Sequence, residues 1–236
     1  MFAATGVDAR DLVIAHGLDK PPFVFGSDMH GLEIDIVREA LAYKGHSMQV
    51  VHVPNKRLQV AIQTAGVDGA ATVREAHDGS YYSDDFITFE NYAITRRSAG
   101  IRLDGVNDLK GHSVVAWQNA YRDLGSEFEA AFNPDVKEPY LEGYSELASQ
   151  RSQNMMFWFG RAQVIIVDKT IFLWYQKDLT KEIDTSAEVV FHNIFPRRTH
   201  FQVAFKERAI RDDFNEGLRH LRKTGRYQHL VDAYIK

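Results

Sequence analysis

Five side chains able to do chemistry fall within seven residues: Thr72, Arg74, Glu75, His77 and Asp78, inside the stretch Gly66 to Arg97, GVDGAATVREAHDGSYYSDDFITFENYAITRR. An arginine fork matches a carboxylate or phosphate bidentately, so Arg74 with the Thr72 hydroxyl is a candidate contact for an anionic group. The same residues also suit a plain surface turn, with Arg74 a surface arginine. His77 and Asp78 are the adjacent pair that metal binding or proton transfer would use. The chain has ten histidines, but no two share a helix face with a carboxylate at metal-ligand spacing. It has no cysteine, which excludes thiolate metal sites, cysteine nucleophiles and disulfides. There is no Gly-x-Ser-x-Gly elbow and no phosphate loop. These patterns point to no catalytic residue, no metal and no cofactor.

The loop must be delivered by a strand. Asp11 to Gly17 reads as a buried strand, and Lys20-Pro-Pro-Phe-Val-Phe-Gly26 turns out of it, because two prolines cannot supply ladder donors. Phe23 and Phe25 leave with that segment. Gly31 to Gly45 has apolar residues at helical spacing, acids Glu33 and Asp35 in the first turn, and a glycine stop. Ser47 to Pro54 reads as a strand and Asn55 to Ala65 as a helix with Leu58 and Ile62 inward. This alternation predicts a parallel sheet covered by helices, with ligands outside the carboxyl ends of the strands. Ile87 to Arg97 reads as one long extended run. A second alternation follows: strand 112–117, helix 121–132, strand 136–138, helix 144–159 and strand 163–167. Strands at 188–191 and 200–205 come next, and helices 210–224 and 227–234 close the chain around Gly225.

The 236 residues are 44% hydrophobic and 25% charged, enough for two lobes that each bury a core. A net charge of -4 with scattered Lys and Arg argues against nucleic-acid binding. No apolar run is long enough to span a membrane. The start MFAATGVDARDLVIA lacks a basic region followed by an apolar one, so no signal peptide is expected in it.

The order Pro22-Phe23-x-Phe25, Gly31-x-Glu33-x-Asp35, Gly66-Val-Asp68, Tyr82-Ser83-Asp84, Asp108-Leu-Lys-Gly111, Gly160-Arg-Ala-Gln-Val-Ile-Ile-Val-Asp168 and Leu221-x4-Arg226-Tyr227 resembles the family 3 extracellular solute-binding proteins. These are the amino-acid receptors of ABC importers. The resemblance runs over roughly residues 11 to 234 and rests on seven individually weak motifs. It implies an α/β fold of the two-lobe periplasmic-binding-protein type (type II). Lobe 1 would be residues 1–92 plus 202–236, and lobe 2 residues 97–197. Two crossing hinge strands, 93–96 and 198–201, would join them, with the ligand held between. It also implies a periplasmic monomer that binds a small molecule and meets the membrane permease of an importer or a fused receptor module.

In such receptors a lobe 1 arginine holds the ligand carboxylate and a lobe 2 aspartate its ammonium. Asp168 falls at the aspartate position; the alternative is that it caps the helix starting near Lys169. At the arginine position this chain has Ala76, with Arg74 two residues away. The usual Gly-Thr of lobe 2 is replaced by Ala120-Tyr121 after Trp117-Gln118-Asn119. The implied ligand contacts are therefore Phe23, Thr72, Arg74, Trp117, Tyr121 and Asp168, although the aromatic residues also suit a core. Two other tasks fit the same scaffold. One is the sensing domain of a signalling receptor. The other is a dehydratase-like lyase, for which Glu33 and Glu75 are the acids to test.

Overall fold

The computed structural model describes residues 8–235, so the first residues of the expected lobe 1 and the beginning of the stretch read for a signal peptide lie outside it. The elements in chain order are β1 (Asp11–His16), α1 (Leu32–Ala42), β2 (Ser47–His52), α2 (Asn55–Leu58), β3 (Gly69–Val73), β4 (Tyr81–Tyr82), β5 (Ile87–Phe89), β6 (Asn91–Arg96), β7 (Val114–Trp117), α3 (Ser126–Phe132), β8 (Tyr144–Leu147), α4 (Gln150–Trp158), β9 (Val164–Asp168), α5 (Lys169–Leu179), β10 (Val189–His192), β11 (Thr199–Phe205), α6 (Arg208–Lys223) and α7 (Arg226–Tyr234). They divide into two compact units. The first takes the chain up to Leu18, Pro22–Ile87 and everything from His200; the second takes Asp19–Pro21 and Thr88–Thr199.

The first unit's sheet runs β2-β1-β3-β11-β4. β1 pairs parallel with β2 and β3, which the strand-helix alternation predicts, while β11 returns antiparallel to β3 and β4. Leu12, Ile14, Ile34, Val37, Leu41, Phe205, Phe214 and Leu218 are fully buried in this unit. α6 lies against α1 at Gly217, where an added Cβ would sit 1.9 Å from the Ala40 carbonyl oxygen. The second unit's sheet runs β10-β6-β9-β7-β8, with β7, β8 and β9 parallel and β6 antiparallel to β9 and β10. Its core joins Val114, Phe128, Phe132, Val164 and Ile166, with Phe128 stacked on Phe132 at 4.5 Å.

Five expected elements come out differently. The helix of 55–65 breaks after one turn into α2 and a separate 3₁₀ turn, Ala61–Gln63, although Leu58 and Ile62 do face inward. Val60, Ile62 and Thr64 are β-branched and weak helix formers, which leaves the segment open to being reshaped by tertiary contacts. The helix of 121–132 starts only at Ser126, preceded by a 3₁₀ turn over Ala120–Arg122. The strand of 136–138 is irregular chain between Pro134 and Pro139. The helix of 144–159 is β8 followed by α4, which begins after Ser149 caps it by accepting from the Ser152 amide. Tyr144 is drawn into the sheet by the rings of Phe128 and Phe132, at 5.9 and 5.0 Å, so packing overrides local propensity. The long extended run is interrupted once, at Glu90, between β5 and β6.

Candidate functional site

In the first unit the carboxyl end of β3 is built abnormally. The pairing of β11 with β3 slips between Gln202 and Val203, which face Val73 and Ala71, so Thr72 is the extra residue of a β-bulge. Its φ is +60°, a left-handed conformation that a β-branched side chain adopts only at a cost. Its Oγ1 is buried and has no hydrogen-bond partner among the described residues. Strain of this kind concentrates at functional sites and argues from geometry to function rather than the reverse. Replacing Thr72 with glycine should relieve the strain and raise the unfolding free energy by up to about 1 kcal/mol while weakening ligand binding. Chemical denaturation together with a titration would show it, and a loss of stability would mean the bulge is relaxed.

The loop beyond the bulge is pinned by side chains that carry no signal in the sequence. Gln59 Nε2 donates to the Arg74 carbonyl at 3.0 Å and to the Tyr82 hydroxyl at 3.2 Å, while its Oε1 accepts from the Arg74 amide at 3.3 Å. The Arg74 side chain is exposed, as are Glu75 and His77. Asp78 is occupied by the turn itself. Its Oδ1 accepts from the Ser80 amide at 3.0 Å and its Oδ2 from the Tyr82 hydroxyl at 3.0 Å. Burial pushes its pKa up, but these donors outweigh burial and hold the carboxylate below its usual range. Burial, followed by Asp78, pushes the Tyr82 hydroxyl up to about 12. No group of three His, Cys, Asp or Glu suited to a metal ion occurs among the described residues.

Phe23 is 2% exposed, and the Phe23 carbonyl accepts from the Glu33 amide at 3.0 Å at the start of α1. Glu33 itself is fully buried with His16, Oε1 to Nδ1 3.2 Å. That pair sits at the carboxyl end of β1. Pairing Glu33 with His16 could not be anticipated from a spacing of 17 residues.

The second unit places its three candidates at the carboxyl ends of its parallel strands. Trp117 ends β7 and is half-buried, while Tyr121 is 5% exposed in the aromatic core, with the Arg122 guanidinium 5.6 Å over its ring. Asn119 between them has φ +62°, and its amide donates to Glu146 Oε2 at 2.8 Å. Asp168 ends β9 and caps α5. Its Oδ1 accepts from the Thr170 and Ile171 amides at 2.8 and 3.1 Å, and its Oδ2 from the Glu90 amide at 2.8 Å. Burial nevertheless raises its pKa to about 6, against the pull of those three amides.

The folded chain thus holds this proton more tightly than the unfolded chain does. Asp168 contributes stability that is fully present below its ordinary value of 3.8 and is lost as pH rises through about 6. A difference of that size between the folded and unfolded chain corresponds to about 3 kcal/mol at most. An Asp168→Asn variant should therefore flatten that pH dependence in denaturant melts between about pH 4 and 7.5. Parallel curves for variant and parent would show that Asp168 does not titrate in this window.

The two sheets and their connections define the periplasmic-binding-protein-like α/β fold. A histidine kinase sensor domain with similarity to periplasmic binding proteins matches with TM-score 0.75 at 16% identity, over 96% of each chain. The substrate-binding protein of an ABC uptake transporter from Streptococcus pneumoniae, with histidine bound, matches with TM-score 0.73 at 14% identity, over 95% of this chain and 92% of that one. An ancestral amino-acid-binding protein, a precursor of cyclohexadienyl dehydratase, matches with TM-score 0.72 at 17% identity over 96% of each chain. No protein-family profile and no curated protein sequence matches this chain.

Proposed function

We propose that the chain is a non-enzymatic receptor that binds a small polar solute and presents it to the permease of an ABC importer, working as a monomer in the periplasm. The observation that carries this reading is the match to a solute-binding protein over nearly the full length of both chains. Because fold alone does not assign function, the local geometry adds independent support. A strained, bulged Thr72 and a buried Asp168 both sit at strand carboxyl ends, where open α/β sheets bind ligands. In this reading Thr72 and Arg74 meet an anionic group and Asp168 a cationic one, and Phe23, Trp117 and Tyr121 supply packing.

The test is a thermal-shift screen of ligand-stripped protein against amino acids, amines, organic acids and small sugars. A ligand at about 100 times its Kd adds about 2.7 kcal/mol and should raise the melting temperature by several degrees. Silence across the whole panel would sink the receptor reading. In the presence of a hit, Asp168→Ala should weaken binding by about 2 kcal/mol or more.

Sensing is the second reading, favoured by the likeness to a kinase sensor domain. Co-purification of the full-length gene product with a permease, rather than ligand-dependent phosphorylation, would decide for transport. A lyase is the least supported. Glu33 is enclosed with His16 and Glu75 is exposed on a loop, so neither is a shielded acid facing open space.

A further inference from the structure

We propose that the first two turns of α4 form a gate on the second unit, opening away from the sheet beneath them while the rest of the unit stays folded. This goes beyond the receptor reading and does not depend on it.

α4 is turned with its polar side inward. Its buried residues are Gln150, Gln153, Asn154 and Phe157, while Met155, Met156 and Trp158 are half-buried and Phe159, its C-cap, is 52% exposed. A helix on a sheet ordinarily buries its apolar stripe, so here the local pattern works against the fold. The carboxamides gain little from their burial. Gln153 Oε1 and Asn154 Oδ1 are buried without a hydrogen-bond partner among the described residues. Their orientation is fixed, because Gln153 Nε2 donates to the Ile166 carbonyl at 2.7 Å and Asn154 Nδ2 to the Gln150 carbonyl at 2.9 Å. Gln150 Oε1 and, directly after β7, Gln118 Oε1 are in the same state. Turning the Gln150 amide over would only bury its nitrogen in place of its oxygen. Buried polar atoms without partners are costly, and opening lets water reach them.

The two halves of the helix are held unequally. Phe157 is fully buried with its ring 5.7 Å from that of Phe172, its carbonyl accepts from Arg96 Nη1, and the Arg96 guanidinium stands 5.1 Å over its ring. Trp158 Nε1 lacks an acceptor among the described residues, yet the indole stacks on Phe172 at 5.6 Å. The first two turns are tied more weakly. The Asn154 side chain bonds within the helix, and Gln153 Nε2 reaches the strands at Ile166 and, at 3.4 Å, at the Val115 carbonyl. Outside, Arg151 pairs with Glu182 at 2.5 Å, but the side chains are 40% and 52% exposed, and such pairs contribute little. β8, which leads into α4, is an edge strand paired with β7, and none of its four residues is buried. Opening would bare Gln118 and the sheet face that carries Val115, opposite the face where Val114 and Ala116 join Phe128 and Phe132.

The chain has no cysteine, so a single introduced thiol reports where solvent enters. Val115→Cys places the thiol beneath α4 and Ala116→Cys places it on the opposite face, both at fully buried positions. Global unfolding exposes the two alike, whereas local opening of α4 exposes the first alone. In iodoacetamide labelling of the whole chain, the Val115→Cys variant should react at least roughly tenfold faster than the Ala116→Cys variant, at a rate nearly independent of denaturant below the unfolding transition. In the Val115→Cys background, Gln150→Met or Asn154→Leu should slow the labelling roughly tenfold, since each removes a buried acceptor that has no donor. Equal rates for the two thiols would mean that Val115 is reached through global unfolding, and would overturn the proposal. Slowing by neither substitution would show that the oxygens are satisfied in the closed protein by bound water, and would overturn it as well.

Discussion

Gly217→Ala is expected to destabilise the protein by about 4 kcal/mol, enough to leave much of it unfolded at ordinary growth temperature, since a marginally stable domain holds only about 5–15 kcal/mol in reserve. The added methyl would lie 1.9 Å from the Ala40 carbonyl oxygen, 2.7 Å from its carbon and 2.9 Å from its Cα. All three are backbone atoms of α1, so no side chain can rotate away. Relief requires α6 to move off α1, which would open the layer where Val37, Leu41, Phe214 and Leu218 are fully buried. Overpacking of this kind is felt because interiors are packed like crystals. Circular dichroism melts of the variant would measure it. A change below about 1 kcal/mol would mean the helices slide freely.

The second large effect is expected at Gly31. With φ +135° and ψ +163° it occupies a region essentially restricted to glycine, and it forms the N-cap of α1. A Cβ here would also meet the Phe23 carbonyl oxygen at 2.3 Å and the Val24 Cα at 2.9 Å. Gly31→Ala should cost about 3 kcal/mol or more, the sum of backbone strain and collision. Because the Phe23 carbonyl also accepts the Glu33 amide, the loop carrying Phe23 would shift with it. Denaturant melts combined with ligand titration should show both losses together. Stability lost with binding intact would remove Phe23 from the ligand contacts.

Much of the fold can be read directly because its signals are local. The acids and apolar spacing of α1, the glycine after Lys44 and the glycine separating α6 from α7 each act through neighbours in the chain. The parallel pairing in the first sheet follows from alternation alone. Local signals mislead where distant residues decide the outcome. Tyr144–Leu147 has no strand signature strong enough to outweigh the helix beside it, and only the rings of Phe128 and Phe132 and the pairing with β7 make it β8. For the candidate residues, their place at strand ends is legible in the sequence, and the geometry around them is not. Residue types mark Thr72 and Asp168, whereas the bulge that strains Thr72 depends on Gln202 and Val203 in β11, at the far end of the chain. Likewise, Gln59 carries no local sign that it will hold the Arg74 backbone. The orphaned oxygens of Gln118 and Gln150 depend on what fails to reach them, which no spacing encodes.

The sheet order β2-β1-β3-β11-β4 has a consequence for synthesis. β11 is an interior strand of the first unit, yet all of it from His200 onward leaves the ribosome after every residue of the second. The nascent chain therefore carries β1, β2 and β3 with one side of β3 unpaired, and α1 without α6, until Phe205 and the helices after it emerge. The second unit is nearly continuous in sequence and can close first. At translation speeds of about 5–20 residues per second, the interval from β3 to β11 exposes an open strand edge and an apolar helix face for several seconds. Truncation after Thr199 should yield a protease-resistant second unit and a first half that binds chaperones, so the segment from His200 onward acts as the closing part of the first unit's fold.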